Sequence, residues 1–319
     1  MSINATIIVG ALLVLVPTSP AAQDLLKVTL LGTGGPEPAL DRFGPATLVE
    51  AGSLRLLFDA GRGVTQRLWQ TGIRLGDVNL LFLTHLHSDH TVGLPDLWLT
   101  GWMGTAFGRR RLPFEVWGPT GTADMMSALR KGYDADIRQR SEGSALPEAG
   151  IAAQARDIQQ GVVFDRNGVR VTAFDVDHGT FRMPAYGYRV DFAGRSVVIS
   201  GDTRFSESLI RAAAGADVVI HEVMAGTPEA LQASEPARRV MASHTSPEDA
   251  GKAFDRIKPK LAVYTHVGLI ADPSRRAALQ DTILVRTRTT YAGLVELGED
   301  MMVITVGEKV DVQRPSGKR

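Results

Sequence analysis

The densest concentration of chemistry in this chain is the hexapeptide His85-Leu86-His87-Ser88-Asp89-His90, three imidazoles and one carboxylate in six residues. Neutral imidazole and carboxylate are the donors that suit zinc, iron and manganese. Burying so many polar groups without partners is costly, so the cluster calls for a metal ion. There is no cysteine. Disulfides and thiolate ligands are therefore excluded, and His, Asp and Glu must build any site.

The elements that must position these groups are visible as apolar runs. Val78 to Leu83 reads as a buried strand that ends at the hexapeptide. Three more runs, Val169 to Val176, Ser196 to Ser200 and Leu261 to Tyr264, read as strands that end at His178, Asp202 and His266. In an α/β sheet, strand ends along one edge converge, and sites form there. Five of the seven histidines stand in the hexapeptide or at these strand ends; the others are His221 and His244. Val218 to Ile220 reads as a further buried strand ending at His221-Glu222.

Other segments complete the scaffold. Leu26 to Leu31 predicts a strand, followed by the turn Gly32-Thr33-Gly34-Gly35-Pro36, which lacks the Lys-Ser/Thr of a phosphate loop. Hairpins are predicted at residues 46–59 and 186–200, and helices at 92–102, 120–133, 247–257 and 274–286. Residues 134–160, polar and weakly periodic, read as an insertion or lid.

The composition is that of a globular chain: 319 residues, 44% hydrophobic, mean hydropathy −0.01. Lys+Arg and Asp+Glu are each 35, and a zero net charge argues against a long polyanion as partner. Arg109-Arg110-Arg111 reads as a solvated loop. Ala5 to Val16 is uncharged and too short to span a bilayer, and Ser19 and Ala21 after it form a small-x-small pattern. This predicts a signal peptide at 1–22, a single catalytic domain at 23–319, and a periplasmic or secreted protein. The absence of Lys or Arg in residues 2–23 departs from the usual charged start of such a segment.

His85-x-His87-x-Asp89-His90 with His178, Asp202 and His266, in that order, resembles the metallo-β-lactamase superfamily. The resemblance implies an αββα sandwich of two mixed β-sheets flanked by helices. It implies two zinc ions, with manganese or iron as alternatives. His85, His87 and His178 would hold one, Asp89, His90 and His266 the other, and Asp202 would bridge them. Such a pair, about 4 Å apart, activates water and polarises the substrate oxygen. Asp59 and Glu222 are placed to orient ligand histidines; Asp59 can equally be read as a turn residue.

Leu31-Gly32-Thr33-Gly34, Phe58-Asp59-Ala60-Gly61, Ser200-Gly201-Asp202-Thr203 and Ser243-His244-Thr245-Ser246 look like the ribonuclease Z and metal-dependent arylsulfatase branch. In ribonuclease Z a further histidine, here His244, is linked to protonating the leaving group. Glu222 is its candidate partner, and His221 reads as structural or supporting. Ribonuclease Z usually carries a long tRNA-gripping arm between the motifs matching His178 and Asp202, and only 23 residues separate them here. Taken with the charge balance and the export pattern, this leads to an expected hydrolase of a phosphodiester or aryl sulfate ester. The expected partners are a small-molecule ester substrate, no nucleic acid, no membrane beyond the export segment, and a homodimer as the candidate assembly. A lactonase or β-lactam hydrolase is the alternative, with tRNA 3′ processing or a non-catalytic metal-binding role ranked behind.

Overall fold

The computed structural model describes residues 25–143, 146–179 and 183–315. The expected signal peptide lies outside them. Fifteen strands among the described residues form two mixed sheets. The first sheet contains β1 (Leu26–Gly32), β2 (Ala46–Ala51), β3 (Leu54–Phe58), β4 (Leu80–Phe82), β5 (Phe114–Gly118) and β6 (Ala153–Asp157). The second contains β7 (Gly161–Arg166), β8 (Val169–Val176), β9 (Ala185–Phe192), β10 (Arg195–Ile199), β11 (Val218–Gly226), β12 (Leu261–Ile270) and β13 (Val295–Leu297). The chain then returns to the first sheet with β14 (Val303–Val306) and β15 (Val310–Gln313), giving the order β15-β14-β1-β2-β3-β4-β5-β6. The second sheet is ordered β13-β12-β11-β10-β9-β8-β7.

Each sheet is antiparallel in one half and parallel in the other. β3 to β6 pair in parallel, as do β10 to β13. Parallel neighbours need crossovers, and these supply the outer helices. α1 (Val64–Gln70), α2 (Ser88–Thr91), α3 (Leu94–Trp102), α4 (Thr122–Gly132), α5 (Asp134–Gly143) and α6 (Glu148–Ile151) belong to the first half. α7 (Glu207–Ala212), α8 (Pro228–Ala233), α9 (Glu235–Met241), α10 (Pro247–Ile257) and α11 (Arg276–Thr287) belong to the second. The inner faces of both sheets share one core, including Val28, Phe58, Phe82, Tyr188, Val197 and Ile304. Separate clusters seat the helices outside each sheet, around Trp98 and Trp102 on one side and Phe254 on the other. The layers are helix, sheet, sheet, helix, the αββα sandwich expected from the motifs. None of the described helices is long and apolar enough to cross a membrane.

Two expectations are corrected here. The described residues of the segment expected to be an insertion or lid, 134–160, form α5, α6 and edge strand β6, packed into the fold rather than laid over the site. Ile137 and Ile151 are buried beside Trp98 and Trp102, whose indole nitrogens donate to Ile151 O and Pro147 O at 3.0 Å each. Arg110 is not solvated: it is 0% exposed and donates to the carbonyls of Trp98 (2.6 Å) and Leu97 (3.0 Å) in α3. A guanidinium carries five donors, and here they tie the middle of α3 to the carbonyls of Leu75 and Val78.

Candidate metal centre

The hexapeptide divides at its middle. His85 and His87 lie on the extended segment after β4, while Asp89 and His90 lie in the single turn of α2. This split aims the first pair at one point and the second pair at another. His178 follows β8 and Asp202 follows β10 after Gly201, whose φ of 61° only glycine adopts easily. His266 differs from the expected strand end, because it lies inside β12. Thr265 pairs with Glu222 and Val267 with Val223, so His266 is an extra residue in the ladder, with φ 43°. It is a β-bulge, a device that re-aims a side chain.

The structure brings all seven residues together in two groups. His85 Nε2 and His178 Nε2 lie 2.9 and 3.3 Å from His87 Nδ1. His266 Nε2 and His90 Nε2 lie 3.3 and 3.6 Å from Asp89 Oδ2. Asp202 Oδ2 stands between the groups, 3.2 Å from His266, 3.4 Å from His90 and 3.9 Å from both His85 and His178. Each trio, and also His85, His90 and Asp202, has donor atoms close enough to hold one ion. Buried His90 Nε2 and Asp202 Oδ1 have no hydrogen-bond partner among the described residues. Orphaned polar atoms at the focus of a nitrogen and oxygen donor set fit a divalent metal.

Surrounding groups orient these rings. Asp59, at φ 59°, accepts from Thr84 N through Oδ1 and from Thr84 Oγ1 through Oδ2, each at 2.8 Å. The same Oδ2 lies 2.8 Å from His90 Nδ1. His178 Nδ1 faces Ser243 O at 3.1 Å. A proton on each of these Nδ1 atoms leaves the Nε2 lone pair free for a metal. Burial, reinforced by His90, holds His85 well below the ordinary imidazole value, and burial also lowers His87 and His178. For Asp202, burial alone would raise the pKa, but His266 and His90 outweigh it and hold the carboxyl well below the usual range.

His244 stands beside both groups. Its ring lies 5.0 Å from that of His178 and stacks at 5.5 Å on that of His266. Its Nδ1 is 3.2 Å from Glu222 Oε1, which also accepts from Thr203 N and Thr245 N. Burial works against protonation of His244, but the Glu222 charge and hydrogen bond outweigh it and raise the pKa to about 9. His221 is turned away: its Nδ1 lies 2.6 Å from Glu222 O and its ring packs edge-on against Phe254. A cleft of about 660 Å³ between α4, α5, α6 and β6 contains none of these residues. A second, about 460 Å³, adjoins α2 at Val92 and is lined by Arg42, Phe43 and Arg62.

Sandwich and site together define a metal-dependent hydrolase. Residues 54–267 match the family described as Beta-lactamase superfamily domain, and the chain belongs to that superfamily. It is 34% identical to a Ribonuclease Z of Mycobacterium sp. (strain KMS), over 92% of this chain and all of that one. It is 36% identical to a Ribonuclease Z of Mycobacterium avium (strain 104), again over 92% and 100%. Among solved structures, YhfI of Bacillus subtilis, a metallo-beta-lactamase fold protein, matches with TM-score 0.67 and 19% identity, over 89% of this chain and all of that one. Human tRNase Z, short form, matches with TM-score 0.62 and 24% identity, over 87% and 98%.

These relatives overturn two expectations, the small-molecule ester as substrate and the exclusion of nucleic acid. The alignments run the whole length of proteins named ribonucleases, so the short stretch between His178 and Asp202 does not separate this chain from them. Zero net charge was a poor guide because it sums the whole surface, whereas a polyanion responds to the local field at a cleft.

Proposed function

We propose that this protein is a metal-dependent endoribonuclease that hydrolyses a phosphodiester bond in RNA. The observation that carries the reading is identity of 34–36% with proteins named Ribonuclease Z along their full length. The geometry supports it, since a diester of phosphate suits a centre with two donor groups flanking one carboxylate.

His85, His87 and His178 would hold one zinc ion, Asp89, His90 and His266 a second, with Asp202 shared. When bound, the ions lower the pKa of water and neutralise charge on the phosphoryl oxygens. Asp59 and Ser243 O keep His90 and His178 in the tautomer that presents Nε2. Glu222 fixes His244 through Nδ1, so the protonated ring carries its other proton at Nε2. That proton is available to the departing alkoxide, a general-acid step of about 10²- to 10⁴-fold.

Zinc-loaded protein should cleave a precursor tRNA with a 3′ extension, and a chelator should abolish cleavage. An unstructured RNA of equal length measures how far the substrate's fold matters. His244→Ala should lower turnover by about 10²- to 10⁴-fold with metal content unchanged. Failure to cleave either RNA, with turnover of p-nitrophenyl sulfate or a lactone, would refute the proposal. Loss of metal in His244→Ala would make His244 a ligand instead.

A further inference from the structure

His266 occupies an unfavourable backbone region, and something outside the metal centre must hold it there. A left-handed conformation costs a non-glycine residue about 1–2 kcal/mol and persists only when its surroundings over-determine it. Because His266 bulges out of the β11–β12 ladder, the following amide, Val267 N–H, turns to the first sheet and donates to Thr33 O at 2.8 Å. Gly35 lies against the His266 ring, where a Cβ would come within 3.3 Å of Cε1. The loop after β1 is therefore the mould for the bulge.

That loop is held in turn by one buried carboxylate. Asp300, 5% exposed, lies between β13 and β14. Its Oδ1 accepts from Thr33 N at 2.9 Å and from Thr33 Oγ1 at 2.8 Å. Its Oδ2 accepts from Phe43 N at 2.8 Å and from Arg67 Nε at 3.1 Å, with Arg67 Nη2 also at 3.1 Å. Arg42 Nη1 completes the clamp, donating to Thr33 Oγ1 at 2.8 Å and to Gly298 O at 2.7 Å. Both ends of the 33–43 loop, α1 and the β13–β14 connection thus meet on a single side chain. The partners of Asp300 named above, Thr33, Phe43 and Arg67, are not among the seven ligand candidates.

We propose that Asp300 is a positioning residue for the Asp89, His90 and His266 group: through Thr33 and the Val267 amide it sets the bulge that aims His266. The inference rests on the two-ion reading above. It predicts an effect confined to one of two metals, with Asp300 acting through Thr33 and the Val267 amide. A carboxylate that merely tied β14 to β1 would alter thermal stability and leave metal affinities alone.

The test uses full-length protein loaded with zinc and, in parallel, with cobalt(II) as a spectroscopic probe. Metal retained against a graded chelator is measured for wild type, Asp300→Asn, Arg67→Met and Thr33→Ser. Asn keeps one acceptor but turns an amide towards the Phe43 and Arg67 donors. The affinity of one ion should fall by about 10- to 100-fold, the usual cost of losing an outer support, with the other ion unchanged. The cobalt(II) visible spectrum should change at that site alone. Arg67→Met should give a smaller shift of the same ion, and remains informative if Asp300→Asn does not fold. Thr33→Ser, which keeps both donors, should match wild type within about 2-fold. Wild-type affinity for both ions in Asp300→Asn and Arg67→Met, or equal weakening of both, overturns the proposal. Wild-type protein that binds a single ion overturns the two-ion reading itself.

Discussion

Replacing Asp59 by Asn tests whether the tautomer of His90 is set by its neighbour. Asn tolerates the φ of 59° at this position, so the backbone is not the variable. The carboxylate accepts three hydrogen bonds, from Thr84 N, Thr84 Oγ1 and His90 Nδ1, each at 2.8 Å. With Oδ1 kept on Thr84 N, the new amide nitrogen faces two donors. The ring can relieve the conflict by moving its proton from Nδ1 to Nε2, but Nε2 is the atom that faces Asp202 at 3.4 Å. A proton there blocks the lone pair a metal needs.

The expected loss is about 10- to 100-fold in affinity for one ion, or about 1.4–2.7 kcal/mol. If the donors are instead left facing one another, the cost moves to folding, at about 1–3 kcal/mol. Metal retained against a chelator measures the first, and urea unfolding of the metal-free protein measures the second. Activity should recover in excess zinc if affinity alone is reduced. Unchanged metal affinity together with unchanged metal-free stability would refute the reasoning, since the loss of the two hydrogen bonds to Oδ2 must show at one of the two levels.

Three other substitutions probe the scaffold. Arg110→Met removes the donors that bind the Leu97 and Trp98 carbonyls in the middle of α3; unfolding should show a loss of about 2–4 kcal/mol, and an unchanged midpoint would mean that water replaces the guanidinium. Gly201→Ala would put a Cβ 2.6 Å from Tyr186 O at a φ of 61°, next to Asp202. It should weaken both metals at once. Gly194→Ala, at a φ of 73° with nothing within 4 Å, should cost only about 1–2 kcal/mol of stability and leave metal binding intact.

Much of the site is local in sequence, and that part is legible without a structure. His85 and His87 on an extended segment, with Asp89 and His90 one turn later, are placed by a spacing of six residues. The strand before them is an apolar run long enough to be recognised. Residues 134–160 were harder because α5 has few apolar residues and β6 is an edge strand of alternating small and polar residues. Such an edge is specified by the β5 backbone it pairs with, not by its own hydrophobicity.

The sequence by itself determined which residue types were available and in what order. Without cysteine, a metal site had to use His, Asp and Glu, and the hexapeptide said where it would start. Tertiary structure decided what distance along the chain conceals. It made His266 a bulge inside β12 rather than a strand end, because the Val267 amide finds its acceptor in Thr33, more than 230 residues away. It buried Arg110 between its two exposed arginine neighbours' positions in the chain and gave it carbonyls to bind, though a run of three arginines reads as a solvated loop. It placed Asp300 under the loop that shapes the His266 bulge. A polar residue is read from sequence as exposed, and only the fold shows which of its hydrogen bonds have been supplied from elsewhere in the chain.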